Sequence, residues 1–181
     1  PTKYNLPTIL STISSYDTKT GHLKGLVDGV LLTALRTGAA TAVATKYLAH
    51  PESSILGLIG CGAQSITQLH AISRLFPISK VLIYDTATEA VKSFESRSSL
   101  LGLDIEVVNA NIATILKTSD IICTATSIDV GEGPLFTEYS SKPHLHINAI
   151  GSDFPGKIEL PINLLRESFV CPDFTEQAKI E

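Results

Sequence analysis

A glycine-rich string in this 181-residue chain has the residue types and spacing of a pyrophosphate-binding turn. Residues 57–65 read GLIGCGAQS, follow an apolar run and precede a helical pattern. In that context Gly60 makes the sharp turn, Gly62 lets the backbone approach a pyrophosphate, and Ser65 supplies the small third residue. The start of the following helix offers unpaired N–H groups and a positive dipole end. The string therefore predicts a dinucleotide site, with an ordinary strand–turn–helix connection as the alternative.

A carboxylate at the end of the next apolar run strengthens the dinucleotide prediction. Asp85 ends KVLIYD, 20 residues beyond Ser65. An acidic residue there accepts hydrogen bonds from both ribose hydroxyls of the adenosine half. It also repels a 2′-phosphate, and the following TATEA contains no arginine that would bind one. The pattern favours NAD over NADP, whereas an ordinary surface aspartate is the alternative.

Arg36 lies in LTALRTGAATAVA, among small and apolar residues. An unpaired charge beside apolar neighbours is costly, so the guanidinium requires an anion. Its planar fork suits a carboxylate or a phosphate in bidentate geometry. A bound anionic ligand and an internal salt bridge both satisfy this requirement, and the residue type does not choose between them.

Two groups of polar residues follow apolar runs farther along the chain. Residues 123–127, CTATS, have small hydroxyl side chains that let a cofactor approach closely. Asp153 follows the run ending at Ile150, where apolar walls would raise its pKa and suit it to general acid or base chemistry. A turn aspartate beside a Pro-Gly bend is the alternative. Lys157 and Glu159 are predicted to pair with each other on the surface.

The elements that position these residues alternate between strands and helices. Alternation of this kind implies a parallel sheet with right-handed crossovers, so the predicted fold class is α/β with a Rossmann-type doubly wound sheet. After the alternation come a helix at 160–167 and a strand at 168–172. The alternating elements are strands 54–60, 80–85, 104–109, 119–125 and 144–150 and helices 63–75, 87–101 and 111–117.

The first fifty residues do not fit the alternation. Strands at 7–16 and 22–27 are joined by a polar turn, and a helix at 31–49 follows. We expect them to belong to another subdomain that packs against the nucleotide fold. The predicted apolar face of the helix consists of Leu31, Leu35, Ala39, Ala42, Val43 and Tyr47.

Composition excludes several classes of function. Hydrophobic residues make up 44% of the chain, the net charge is −4, and no basic run is present, so we expect no nucleic-acid partner. The three cysteines are far apart and odd in number, so they predict no disulfide framework, and reduced thiols of a cytoplasmic protein are the simplest interpretation. Neither the cysteines nor the five histidines have the spacing of metal ligands, so we expect no metal site. No apolar run reaches the ~20 residues of a membrane span. The chain begins with proline and lacks methionine, so we expect an excerpt from a longer protein.

Three strings, LTALRTGAA, GCGAQSITQLHA and INAIGSDFPGKIEL, occur in the order found in the ornithine cyclodeaminase/mu-crystallin family, which this chain resembles over nearly its whole length. The resemblance implies a Rossmann domain that binds NAD(P) and a second domain, formed by both chain ends, through which two copies dimerise. It assigns residues 1–50 to the dimerisation and substrate-binding domain, 51–175 to the NAD-binding domain, and 176–181 to the return into the first domain.

The resemblance also implies roles for single residues. Arg36 matches the arginine that grips the substrate carboxylate, and Asp153 matches the carboxylate that acts on the amine and the water at the reacting carbon. An upstream lysine and arginine that complete the substrate site in the family have no clear counterpart apart from Lys3. The residues that match the NAD site or lie beside it are Thr37, Gly60, Gly62, Ala63, Gln64, Asp85 and Thr126.

The activity implied by the resemblance is NAD-dependent conversion of L-ornithine to L-proline and ammonia by internal hydride transfer. An NAD-dependent alanine dehydrogenase and a cyclic-imine (ketimine) reductase would use the same site. A mu-crystallin-like protein that binds a nucleotide or ligand without catalysis is the third alternative. Asp85 argues against that branch because its members favour NADP. The implied partners are a small amino-acid substrate and a second copy of the chain.

Overall fold

A computed structural model describes residues 10–179, which form a five-stranded parallel sheet flanked by helices and preceded by a β-hairpin. The predicted α/β fold class is confirmed. In chain order the elements are β1 (Thr12–Tyr16), β2 (Leu23–Asp28), α1 (Val30–Leu48), β3 (Ile55–Ile59), α2 (Ala63–Ser73), β4 (Lys80–Tyr84), α3 (Thr88–Ser99), β5 (Glu106–Asn109), α4 (Ile112–Thr118), β6 (Ile121–Thr124), β7 (His146–Ala149), α5 (Ile162–Glu167) and α6 (Thr175–Ala178).

The order of the strands creates a crevice at the centre of the sheet. The strands lie in the order β5-β4-β3-β6-β7, and every neighbouring pair is parallel. The chain runs outward from β3 through β4 to β5, then crosses to β6 and β7 on the other side. The direction of winding thus reverses between β3 and β6, and ligands of such sheets bind beyond the carboxyl ends of the strands at this point.

Helices cover both faces of the sheet. Because successive residues of a strand point to opposite sides, each strand contributes side chains to both buried faces. Leu56 and Leu58 of β3 pack in the same cluster as Leu69 of α2 and Phe94 of α3. The other face includes Ile59 and a cluster of residues from β4, β6 and α4. Gly57 lies opposite α4, where an added Cβ would be 2.5 Å from a methyl carbon of Ile115. A glycine is therefore required for α4 to pack this close to β3.

Helix α1 packs against α2 through small residues. At Gly38 the two backbones approach so closely that an added Cβ would lie 2.7 Å from the carbonyl oxygen of Thr67. Of the predicted apolar face, Ala42 is buried in this contact, whereas Leu31, Leu35, Val43 and Tyr47 are exposed within residues 10–179. Large apolar side chains could not occupy so narrow a contact. The residues buried in it are Gly38, Thr41, Ala42 and Thr45.

The predicted strand at 168–172 was also wrong. The segment pairs with no strand among the described residues, and Phe169 is 86% exposed. An apolar run becomes a strand only where a neighbouring backbone accepts its hydrogen bonds, and Pro172 lacks an N–H to offer. Predictions for Lys3, for residues 7–9 of the first strand and for residues 180–181 lie outside the described residues. None of the described helices is both long enough and apolar enough to cross a membrane.

Candidate dinucleotide-binding site

The glycine turn leads from β3 into α2 at the carboxyl edge of the sheet. Gly60 has a φ of +98°, which side chains rarely tolerate. Its N–H donates to the carbonyl of Tyr84 at 2.8 Å, and an added Cβ would lie 2.5 Å from the carbonyl oxygen of Ala125. The turn therefore fits between the ends of β4 and β6 only because residue 60 is glycine.

Gly62 has a different environment from Gly60. It caps the start of α2 with a φ of −75°, and an added Cβ would meet no described atom within 4 Å. Ala63 and Gln64 begin the helix, whose first turn has neither a side-chain cap nor an acidic residue. This open space beside unpaired N–H groups is where the backbone can approach a phosphate.

The third position of the glycine motif is Ser65 rather than the usual glycine or alanine, and its contacts show why a serine fits there. Its side chain is fully buried, and the hydroxyl donates to the carbonyl oxygen of Gly60. The serine therefore closes the turn from inside. A small polar residue at this position holds the sharp turn at Gly60 while leaving the outer surface of the loop free.

Asp85 follows β4 and connects the glycine turn to the start of α3. One carboxylate oxygen accepts from the N–H of Cys61 at 2.7 Å, and the other accepts from the N–H of Ala87 at 2.8 Å. Each oxygen retains lone-pair capacity for a ribose hydroxyl. Burial and the neighbouring Asp85 raise the pKa of Cys61 to about 11, so this thiol is no nucleophile at neutral pH.

Arg97 is a residue of this site that the sequence analysis missed. From α3 its guanidinium donates to the carbonyl oxygens of Cys61 at 2.6 Å and Gly62 at 3.3 Å. A third bond runs to the carbonyl of Ala90 at 3.1 Å. From the sequence, Arg97 is one arginine in a predicted helix with many polar residues. Such a residue usually faces solvent, so nothing indicated a contact with the glycine turn.

Glu159 is the second residue that the sequence analysis misjudged, because its carboxylate is fully buried rather than on the surface. One oxygen accepts from the N–H of Thr126 at 3.0 Å and from its hydroxyl at 2.7 Å. The other accepts from the Thr124 hydroxyl at 2.6 Å and the Gly151 N–H at 2.8 Å. These four donors compensate for burial of the group, and no cation pairs with it among residues 10–179.

The predicted surface pair between Lys157 and Glu159 is therefore wrong. Lys157 instead pairs with Asp153 at 3.0 Å. The side chain of Asp153 is 69% exposed, so the described residues do not provide the apolar walls predicted for it. The segment after β7 forms a loop whose two ends are joined by hydrogen bonds, because the N–H of Glu159 donates to the Ser152 hydroxyl. The middle of the segment consequently stays outside the core.

The two predicted ligand-binding residues of α1 are separate from these networks. Arg36 is exposed and forms no hydrogen bond or ion pair with any residue that the structure describes, so the alternative of an internal salt bridge is not met within residues 10–179. The hydroxyl of Thr37 donates to the carbonyl of Thr33 at 3.0 Å in the same helix. Farther along α1, Thr45 accepts from Asn148 of β7 at 3.0 Å, which fixes the helix against the sheet.

Hydrogen bonds thus form two groups of residues at the carboxyl edge of the sheet. Asp85 and Arg97 hold the glycine turn on one side, whereas Glu159 ties Thr126 to the segment that carries Asp153 on the other. Within residues 10–179, no three His, Cys, Asp or Glu side chains cluster as metal ligands would.

A reversing parallel sheet, a glycine turn at its central strand and an acidic residue after the next strand together define a dinucleotide-binding α/β protein. The sequence model of the ornithine cyclodeaminase/mu-crystallin family matches residues 1–181, and the chain belongs to this family.

Two relatives illustrate the names found among similar proteins. The chain is 46% identical to an L-lysine cyclodeaminase of Streptomyces rapamycinicus over 179 residues, which are 99% of this chain and 52% of the relative. It is 34% identical to an ornithine cyclodeaminase of Agrobacterium fabrum over 91% of this chain and 46% of the relative. The chain therefore spans about half the length of these relatives.

Two solved structures superpose closely on this chain. A lysine cyclodeaminase, studied for its recognition of L-lysine, L-ornithine and L-2,4-diaminobutyric acid, superposes with a TM-score of 0.93 at 50% identity, covering 98% of this chain and 51% of that one. An archaeal alanine dehydrogenase dimer with bound NAD superposes with a TM-score of 0.87 at 35% identity, covering 98% of this chain and 54% of that one.

Proposed function

We propose that this chain belongs to an NAD-dependent cyclodeaminase whose substrate is an α,ω-diamino acid, either L-ornithine, as the sequence resemblance predicts, or L-lysine. The observation that carries the proposal is the 46% identity with an L-lysine cyclodeaminase over 99% of the chain. The recognition of both diamino acids by the solved lysine cyclodeaminase supports the substrate class.

The residues of the glycine turn suit NAD. The open space at Gly62 and the first-turn N–H groups of Ala63 and Gln64 fit a pyrophosphate, and Asp85 fits the adenosine ribose. The nicotinamide half would then lie toward β6, beside Thr126, with Thr37 near it on α1. NAD, when bound, supplies a hydride acceptor for the substrate α-carbon and the donor that later reduces the cyclised product. The NAD complex of the alanine dehydrogenase relative supports this cofactor.

The protein's own contribution is to orient the substrate and move protons. Arg36 would hold the substrate carboxylate, because its exposed guanidinium is free of protein partners in the described region. That grip would aim the α-hydrogen at the cofactor. Asp153 would accept and return protons as one amine attacks the α-carbon and the other leaves as ammonia. Its neighbour Lys157, which pairs with the carboxylate at 3.0 Å, would hold it in position.

We further propose a homodimer in which residues 1–50 and 176–181 belong to a second domain, outside the NAD-binding domain at 51–175. The large apolar residues exposed on α1 and on the β1–β2 hairpin support an additional contact surface, since they are uncovered within the described chain. The dimeric alanine dehydrogenase relative supports it as well. A cytoplasmic location remains a prediction.

Turnover with limiting cofactor tests the proposed activity. The full-length protein is incubated separately with L-ornithine, L-lysine, L-alanine and a cyclic imine, with NAD or NADH below the substrate concentration. Many turnovers of a diamino acid per NAD, with release of ammonia and no net NADH, are expected. Stoichiometric NADH from alanine would instead establish a dehydrogenase, consumption of NADH by the imine a reductase, and cofactor binding without turnover a binding protein.

The Asp153→Asn variant tests the role of that carboxylate. The amide cannot accept a proton from the reacting amine, so turnover should be abolished while the Kd for NAD stays within about a few-fold of the wild-type value. Retention of most of the turnover would remove Asp153 from the mechanism.

A further inference from the structure

We propose that Arg97 is a positioning residue that aims the backbone N–H groups of Gly62 and Ala63 at the pyrophosphate of the dinucleotide. The inference rests on the proposed NAD site and adds a residue outside the glycine motif. It concerns a side chain on α3, 35 residues beyond Gly62 in the sequence.

The guanidinium of Arg97 binds two successive carbonyl groups of the glycine turn. Its Nη2 donates to the oxygen of Cys61 at 2.6 Å, and its Nη1 donates to the oxygen of Gly62 at 3.3 Å. Nη2 also donates to the carbonyl of Ala90 at 3.1 Å, and the ring of Phe94 lies 5.7 Å from the guanidinium carbon. The side chain is therefore anchored on α3 at the same time as it grips the turn.

Because the peptide bond is planar, hydrogen bonds to the two carbonyl oxygens also fix the directions of the N–H groups in the same peptides. Both peptides are trans, since the described cis bond is the one between Gly133 and Pro134. In a trans peptide the C=O of one residue and the N–H of the next point in opposite directions. With the oxygens of Cys61 and Gly62 turned toward Arg97, the N–H groups of Gly62 and Ala63 point away from it.

The backbone at Gly62 has the open space that a phosphate needs. An added Cβ at Gly62 meets no described atom within 4 Å, and the first turn of α2 has no side-chain cap. Without Arg97, the two peptides would lose one restraint on their orientation, and Gly62, which is exposed at the start of α2, has no side chain to replace it. Arg97 thus contributes pre-organisation of the donors, and three of its five N–H donors are already used in doing so.

Arginine is suited to this role in a way that lysine is not. Its rigid fork reaches two carbonyl oxygens at fixed separation, whereas the lysine ammonium is a flexible point charge. A replacement by lysine would keep the positive charge near the phosphates but would lose simultaneous control of both peptides. Comparison of the two variants therefore separates positioning from simple charge attraction.

The test measures Kd values of the full-length protein for ADP-ribose, which contains the pyrophosphate, and for adenosine, which does not. For Arg97→Ala we expect a weakening of about 10-fold or more toward ADP-ribose, the scale of a lost charge-assisted hydrogen bond, and a change of less than about 3-fold toward adenosine. Arg97→Lys should recover only part of the loss. Arg74→Ala, at the opposite end of α2, removes the same charge and should leave both Kd values unchanged.

Several results would overturn the inference. Full recovery by Arg97→Lys would show that charge alone matters, and an equal loss toward both ligands would show general damage to the fold. Unchanged ADP-ribose binding in Arg97→Ala would remove the residue from the site. If the wild-type protein itself failed to bind ADP-ribose, the proposed NAD site would fail and the inference with it.

Discussion

The carboxylate of Glu159 accepts a hydrogen bond of 2.8 Å from the N–H of Gly151, and its Cδ would lie 2.7 Å from a Cβ added at that glycine. Gly151 follows β7, whereas Thr124 and Thr126, which donate to the same carboxylate, lie at the end of β6 and just beyond it. One buried side chain therefore joins two strand ends and anchors the segment that presents Asp153.

We predict that Glu159→Gln lowers both stability and turnover. The amide turns one acceptor into a donor, which then faces an N–H or hydroxyl donor, at a cost of about 1–3 kcal/mol in the free energy of unfolding. Turnover should fall because the segment carrying Asp153 loses its anchor. Urea denaturation and steady-state assays measure the two effects. Glu95→Gln, the same change on the exposed surface of α3, is the control, and identical behaviour of the two variants would contradict this account.

Gly60 and Gly62 should respond differently to alanine. Gly60→Ala forces a side chain into a φ of +98° and against Ala125, so the free energy of unfolding should fall by more than about 1 kcal/mol. Gly62→Ala should leave stability within about 0.5 kcal/mol, because its φ of −75° suits any residue. The methyl group that Gly62→Ala introduces would occupy the space proposed for the pyrophosphate, so NAD affinity should drop. Normal NAD binding by Gly62→Ala would argue against the phosphate position.

Asp85 should control the choice between NAD and NADP. Asp85→Asn removes the charge that repels a 2′-phosphate, so the ratio of the Kd for NADP to that for NAD should fall by about 10-fold or more. The ratio is the informative quantity, because loss of an acceptor for the N–H of Cys61 or Ala87 weakens the binding of both cofactors. Asp104→Asn, on the exposed surface, should leave the ratio unchanged. A constant ratio in Asp85→Asn would contradict the assignment.

The lowered pKa of Asp120 leads to a prediction of how the stability of the fold depends on pH. It precedes β6 at the amino edge of the sheet and accepts from Lys142 at 2.5 Å and from the N–H groups of Ser54 and Ile55, each at 3.0 Å. Burial alone would raise its pKa, but these bonds and the contact with His144 together hold the pKa far below its usual range. The ionised carboxylate therefore stabilises the folded state.

Because the folded-state pKa is depressed, the stabilisation by Asp120 is complete above its unfolded pKa of about 3.9 and is lost as the pH falls below that value. Asp120→Asn should therefore destabilise the protein strongly at pH 7 and less at pH 3. Urea denaturation at several pH values measures the difference between variant and wild type. A difference that does not shrink on acidification would refute this role, and Asp104→Asn serves as the exposed control.

The sequence predicted those features whose causes are local. The turn at Gly60 and the acidic residue at Asp85 follow from backbone geometry and from the alternation of strands and helices, both of which can be recognised within about 30 residues. The five parallel strands were predicted for the same reason, although the observed strands are shorter at their ends. The solved NAD complex of a relative agrees with the predicted cofactor.

The errors concern contacts between distant residues. Glu159 is buried because the ends of β6 and β7 supply its donors, and nothing in the string KIEL indicates this. The large apolar residues of α1 are exposed, because the close approach of α2 at Gly38 leaves room only for small residues in the contact. Arg97 reaches Cys61 from 36 residues away. The strand predicted at 168–172 has no neighbour in the described chain, and only the folded arrangement of strands reveals that.

Retention of a label at the α-carbon tests internal hydride transfer most directly. The full-length protein is given L-ornithine or L-lysine deuterated at C2, with NAD far below the substrate concentration, and the cyclic product is analysed by NMR and mass spectrometry. The account predicts that the product keeps deuterium at the α-carbon, because the hydride removed from that carbon is returned to it. A product carrying protium there, or deuterium accumulating in NADH, would contradict a cyclodeaminase that recycles its own hydride.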